Sequence, residues 1–195
     1  MTGDDWGEQL RSRLFDHRTI LMRGVLDDAT ASQAAAELMT LDATGDSRVT
    51  VHLDATGPSL EAAFAVMDVI DLLGVPVHVF CVGRAEGAAI GVLAVGSRRA
   101  STPHARLRLR DPDAAMHGVA SDLGRWADHH FARLARFHER IAEAVRRPRE
   151  EVAHDCAQGR YLTAEEALRY GLIDEIARPQ GAVFPLPGRS VGFKP

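Results

Sequence analysis

The chain is predicted to adopt an α/β fold, and three observations predict it. Short β-branched runs at Thr19–Val25, residues 49–53 and residues 75–82 alternate with segments whose apolar residues recur at helical spacing. One amphipathic stretch, residues 121–145, is longer than any other periodic segment. The 195 residues are 46% hydrophobic, with no internal repeat and no low-complexity linker, which suits one domain around one core.

The elements follow in order. Thr19–Val25 reads as a strand. An alanine-rich helix starts at Asp28 and runs to Leu41, with Asp27 or Asp28 as its N-cap. Residues 49–53 alternate as a strand does. Residues 60–73 carry Leu60, Phe64, Met67 and Leu73 at helical spacing, and Gly74 ends that helix. Residues 75–82 form an apolar strand, and residues 87–95 are small and apolar enough for a buried helix. Within residues 121–145, Leu123, Ala127, His130, Leu134, Phe137, Ile141 and Val145 share one stripe, flanked by Trp126 and Phe131. Such a stripe is core or subunit interface. Pro148 breaks the helix, and residues 150–158 begin another. Beyond Ile176, prolines 179, 185 and 187 with several glycines predict an irregular tail over residues 178–195.

Composition excludes several functions. A net charge of -4 gives no field for nucleic acid. No apolar run is long enough to cross a bilayer, and residues 1–9 are acidic and polar, unlike a signal peptide. Cys81 and Cys156 form no CxxC pair and are expected to be small buried hydrophobes in a reduced cytoplasm. The nine histidines include no HxH or HExxH pattern, and adjacent His129 and His130 point apart on a helix. Neither a metal site nor a cofactor is expected. The cluster Arg146-Arg147-Pro148-Arg149 reads as a helix terminus favoured by its dipole.

Three stretches carry a resemblance. The first is Arg13-Leu14-Phe15-Asp16-His17-Arg18-Thr19-Ile20-Leu21-Met22-Arg23-Gly24 with Asp27-Asp28. The second is Gly83-Arg84-Ala85-Glu86-Gly87-Ala88-Ala89. The third, long and specific, is Tyr161-Leu162-Thr163-Ala164-Glu165-Glu166-Ala167-Leu168-Arg169-Tyr170-Gly171-Leu172-Ile173-Asp174-Glu175-Ile176. Together they resemble ClpP, the proteolytic subunit of the Clp protease, over residues 13–176. The resemblance implies the ClpP/crotonase fold, a repeated ββα spiral with a protruding handle helix. It divides the chain into a short polar segment 1–12, a domain 13–177 with its handle at 121–147, and the tail.

The same resemblance marks a serine-protease site, and the residues there are the wrong ones. Acyl transfer needs a nucleophile, a base, an orienting group and oxyanion donors. The nucleophile position is Gly87, which has no side chain. Pro103-His104-Ala105-Arg106-Leu107-Arg108-Leu109-Arg110-Asp111-Pro112 puts Arg110 where the family has histidine, and a guanidinium cannot accept a proton. The acid position, two residues before Tyr161, is Gly159; Asp155 lies four residues too early. Leu53-Asp54-Ala55-Thr56-Gly57-Pro58-Ser59-Leu60 puts Pro58, which lacks an N–H, at one oxyanion-hole position. Ala88 holds the other, where the donor is expected to survive. Residues 83–95 contain no serine, so a small shift of alignment restores nothing. Glu86 and Arg110 are expected to be solvated charges rather than an ion pair filling the vacated site.

The expected function is therefore structural or regulatory: a non-catalytic subunit in rings with itself or with ClpP paralogues. Only residues 1–12 precede Arg13, short for an axial loop, which argues against engaging an AAA+ unfoldase. Two other readings stand beside it. One is an active serine-type endopeptidase through an unrecognised site such as Ser59 with His104 or His117. The other is crotonase-like acyl-CoA binding, with Glu86 inside the glycine-rich turn.

Overall fold

The computed structural model describes residues 3–114 and 120–177. Among these residues seven helices surround a parallel sheet with one antiparallel pair at its margin, the α/β class expected from the sequence. The irregular tail expected over 178–195 lies outside the described residues.

β1 (Thr19–Val25), β2 (Val49–Gly57) and β3 (Val77–Gly87) pair in parallel in sequence order. β1 has the bounds expected of it, and β2 and β3 run further than their apolar runs suggest. The extension of β3 has a tertiary cause. Its first half pairs with β4 (Arg98–Ser101) and its second half with β5 (Arg106–Arg108), so the sheet forks along one strand. Between the halves the β2–β3 register shifts at Leu53/Ala55. There the Asp54 carboxylate accepts the Arg84 N–H at 3.2 Å, and a Cβ on Gly83 would meet the same oxygen at 2.7 Å. β6 (Tyr161–Leu162) pairs antiparallel with β5, and β7 (Glu175–Ile176) pairs with β4.

α1 (Gly3–Asp16) is a helix where the sequence predicts a polar segment and the start of a strand. The segment has too few apolar residues for a periodic signal. Tertiary contacts hold it: Phe15 packs on the core, and the Arg11 guanidinium pairs with Glu37 at 2.8 Å. α2 (Asp28–Ala43) is capped by Asp27, whose carboxylate accepts the Thr30 N–H at 2.9 Å. α3 (Leu60–Leu72) is capped by Ser59 and buries Leu60, Ala63, Val66, Met67 and Ile70. α4 (Ala89–Ala94) starts two residues later than predicted and is buried throughout. α3 packs on both α2 and α4, and all three helices pack on the sheet.

α5 (Ala120–Val145) is the long amphipathic helix. Its stripe divides into two parts. Phe137, Ile141 and Val145 are buried against α3, α4 and α6 (Arg149–Gln158), whereas Leu123 and Phe131 remain 42% and 65% exposed. The helix is rooted in the domain by its C-terminal half. α7 (Ala164–Tyr170) carries a full capping box between Thr163 and Glu166.

β7 is tied down by charge. Asp174 accepts from the Arg99 backbone N–H at 2.7 Å and from the Arg99 guanidinium. Burial acts to raise the Asp174 carboxyl, but these hydrogen bonds more than offset it and hold it below its ordinary value. A depressed folded value stabilises above the unfolded pKa, about 3.9, and that contribution is lost as pH falls through the lower folded value. Wild type is therefore expected to melt above Asp174→Asn near neutral pH, with the difference shrinking below about pH 4. Thermal melts across pH check this; a difference that stays constant into acid contradicts it.

Candidate functional site

β3 ends at Gly87, which takes a left-handed backbone, φ +61°, before Ala88 leads into α4. A strand, a sharp turn and a helix in that order form an elbow, the arrangement that presents a nucleophile in hydrolases. Beside it runs the end of β2, with Gly57 and Gly87 as direct partners in the parallel register. The approach is close enough that neither position has room for a side chain. A Cβ on Gly87 would lie 2.6 Å from the Gly57 carbonyl oxygen. A Cβ on Gly57 would lie 2.9 Å from the Ala88 Cα and closer still to the Ala89 nitrogen.

This contact engages the donor at Ala88. The Ala88 N–H donates to the Gly57 carbonyl at 2.8 Å, so it is already satisfied within the fold. At this oxyanion-hole position the N–H is present and is bonded into β2. Pro58, the next residue, brings no N–H of its own.

The other two sequence-selected positions lie at the same end of the β3–β5 pair. Glu86 is opposite Arg108, so Gly87 and Arg110 each continue beyond that rung. The Leu109 N–H donates to the Arg160 carbonyl at 2.9 Å, joining Arg110's segment to the turn that carries Gly159. Topology thus gathers Gly87, Arg110 and Gly159 to one margin of the sheet. Charges there pair locally. The exposed Arg110 guanidinium bonds Asp113, and Glu86 pairs with Arg106 at 2.9 Å, so no Glu86–Arg110 pair forms. Each charge has its own partner, where the sequence predicts two merely solvated charges.

Gly159 has a conformational reason to be glycine. It ends α6 in the left-handed region, φ +65°, with its N–H donating to the Cys156 carbonyl at 3.0 Å. The space beside it belongs to Arg108, whose Nε donates to the Gly159 carbonyl at 3.3 Å while its guanidinium stacks 4.5 Å over the Tyr161 ring. Asp155 is buried, accepts from Arg160 at 3.0 Å and from the Tyr170 hydroxyl at 2.9 Å, and is committed to holding α6 on α7. Burial first, then the Asp155 bond, pushes the Tyr170 phenol well above its ordinary value, so it stays a protonated donor.

Ser59 spends its hydroxyl as the α3 cap, accepting the Ala62 N–H at 3.1 Å. His104 is exposed, and His117 lies outside the described residues. A second polar cluster, absent from the sequence reading, lies one residue from Arg110: Asp111, His138 and Cys156. No short-range spacing announces it, because the three residues come from separate elements.

Comparisons with known proteins agree with this architecture. A family model described as Clp protease matches residues 3–180. The chain is 32% identical over 172 residues to ATP-dependent Clp protease proteolytic subunit 2 of Thermobifida fusca, covering 87% of this chain and 85% of the relative. It is 31% identical over 186 residues to proteolytic subunit 3 of Rhodococcus jostii, covering 93% and 91%. Proteolytic subunit 1 of Thermobifida fusca is 30% identical over 169 residues, covering 85% and 76%.

Proposed function

The chain belongs to the Clp protease family, and from that premise we propose that it is a non-catalytic proteolytic-subunit homologue with a structural or regulatory role in a ring assembly. The observation that carries this reading is the backbone closure at the elbow. Gly87 offers no nucleophile, and the adjacent Ala88 N–H is bonded to Gly57 rather than free to receive an oxyanion. Arg110 and Gly159, at the same margin, supply neither a base nor a carboxylate. An acyl-CoA enolate site needs the same kind of free backbone donors, so the closure also weighs against the crotonase-like reading.

The assembly part of the reading rests on α5 and on the relatives. The outer half of α5 leaves Leu123 and Phe131 exposed, suited to burial against another subunit. Thermobifida fusca carries subunits named 1 and 2, both similar to this chain, so paralogous subunits of this family occur together in one organism. Among the described residues no helix is long and apolar enough to cross a membrane.

Native mass spectrometry of the tagged chain purified from its own cell tests the proposal. The expected result is a ring containing this chain together with a Clp paralogue, while the isolated chain cleaves fluorogenic peptides no faster than buffer. A lone small oligomer without a Clp partner overturns the mixed-ring role. Peptide cleavage by the isolated chain, blocked by a serine-reactive inhibitor, overturns the non-catalytic role.

A further inference from the structure

We propose that Asp111, His138 and Cys156 form a binding site for a divalent transition metal of the zinc class. The three residues reach one point from three parts of the chain: the segment after β5, the rooted half of α5, and α6. Their donor atoms all lie within 4.8 Å of one another. His138 and Cys156 are 7% and 2% exposed. The His138 Nε2 and the Asp111 carboxylate are 2.7 Å apart in a hydrogen bond, and the Asp111 N–H donates to the Cys156 carbonyl at 3.3 Å.

The chemistry of the donor set selects the metal. One thiol, one imidazole and one carboxylate form a mixed set that zinc, a borderline-soft ion, accepts. Calcium and magnesium take oxygen ligands, and a single sulfur is a poor set for copper(I). Tetrahedral zinc places such donors about 3.4–3.6 Å apart, so the cluster needs rearrangement of roughly an ångström. The His138–Asp111 bond opens, the proton it shares passes through solvent to the other ring nitrogen of His138, and the metal takes its place between Nε2 and the carboxylate. The Asp111 side chain is 32% exposed, which gives an entry path and a place for water as the fourth ligand.

Burial pushes the Cys156 thiol up to about 12, with the Asp111 and Asp155 charges adding to it. Cys156 is 2% exposed, so its sulfur is closed to a peptide substrate, which separates this cluster from a Cys-His-Asp hydrolase triad. On binding, the metal–sulfur bond forms and the thiol proton leaves to solvent. The bound ion then links the root of α5 to α6 and to the segment carrying Arg110. None of this depends on ring assembly or on the chemistry at Gly87.

The test is a titration of the full chain, stripped with a chelator, with Co2+ followed by absorption, then by displacement with Zn2+. The expected result is one equivalent per chain with a thiolate-to-cobalt charge-transfer band that zinc abolishes. Cys156→Ser loses the band, and His138→Asn, which keeps a hydrogen-bonding partner for Asp111, weakens binding at least about tenfold. Cys81→Ala retains both band and stoichiometry. A wild-type chain that takes up far less than one equivalent, or shows no charge-transfer band, overturns the proposal without any variant. A band that survives Cys156→Ser overturns it equally.

Discussion

Replacing Gly87 with serine is expected to destabilise the chain without creating a protease. The residue has φ +61°, a region that costs an L side chain about 1–2 kcal/mol. The new Cβ also meets the Gly57 carbonyl oxygen at 2.6 Å, and that oxygen is backbone in a paired strand, held further by the Ala88 N–H. Relieving the clash means separating the ends of β2 and β3. Together these effects are expected to cost about 2–4 kcal/mol, a fall in Tm of about 5–15 °C for a chain of this size. The hydroxyl has no base, since Arg110 stays protonated, and the Ala88 N–H remains engaged unless the elbow moves. Differential scanning calorimetry with a fluorophosphonate labelling assay checks both halves. Covalent labelling of the introduced serine, with Tm unchanged, contradicts the closed elbow.

Phe137→Ala is expected to produce the largest loss of stability among single core truncations near the site. Phe137 is fully buried on α5, and its ring packs edge-on to Phe64 at 6.3 Å between centroids. It also fills the space over Gly91 of α4, where an added Cβ would collide with the Phe137 ring and approach the Met67 sulfur at 2.7 Å. The ring is therefore the contact through which the long helix, α3 and the elbow helix α4 share one core. Truncation removes the transferred apolar area and leaves a cavity that α4, already packed on the sheet, cannot collapse to fill. The expected cost is about 3–5 kcal/mol, or roughly 6–20 °C in Tm. Thermal and urea melts measure it directly. A loss below about 1 kcal/mol indicates that α5 is not rooted through this residue.

Much of the architecture was legible in the sequence. The bounds of β1, the Asp27 cap of α2, the start of α3 at Leu60 and the length of α5 follow from local signals: β-branched runs, caps and helical periodicity. α1 was not legible, because its apolar residues are sparse and Phe15 gains its meaning only against the core. Nor was the second half of β3, because Gly83-Arg84-Ala85-Glu86-Gly87 reads as a turn until β5 supplies a strand to pair with.

The identities of Gly87, Arg110, Gly159 and Pro58 are matters of sequence alone, and so is the chemistry those side chains lack. A missing hydroxyl, a permanently protonated guanidinium and an absent N–H are properties of single residues. The spent Ala88 donor, the partners chosen by Glu86 and Arg110, the left-handed cap at Gly159 and the meeting of Asp111, His138 and Cys156 were decided by tertiary structure. Each arises where the backbone's own geometry or strand register and helix packing bring a group to its place, and most of these partners lie far apart along the chain. Local propensity carries no information about such distances, whereas the Gly57–Gly87 rung of the β2–β3 pair brings the Ala88 donor to within a hydrogen bond of its partner.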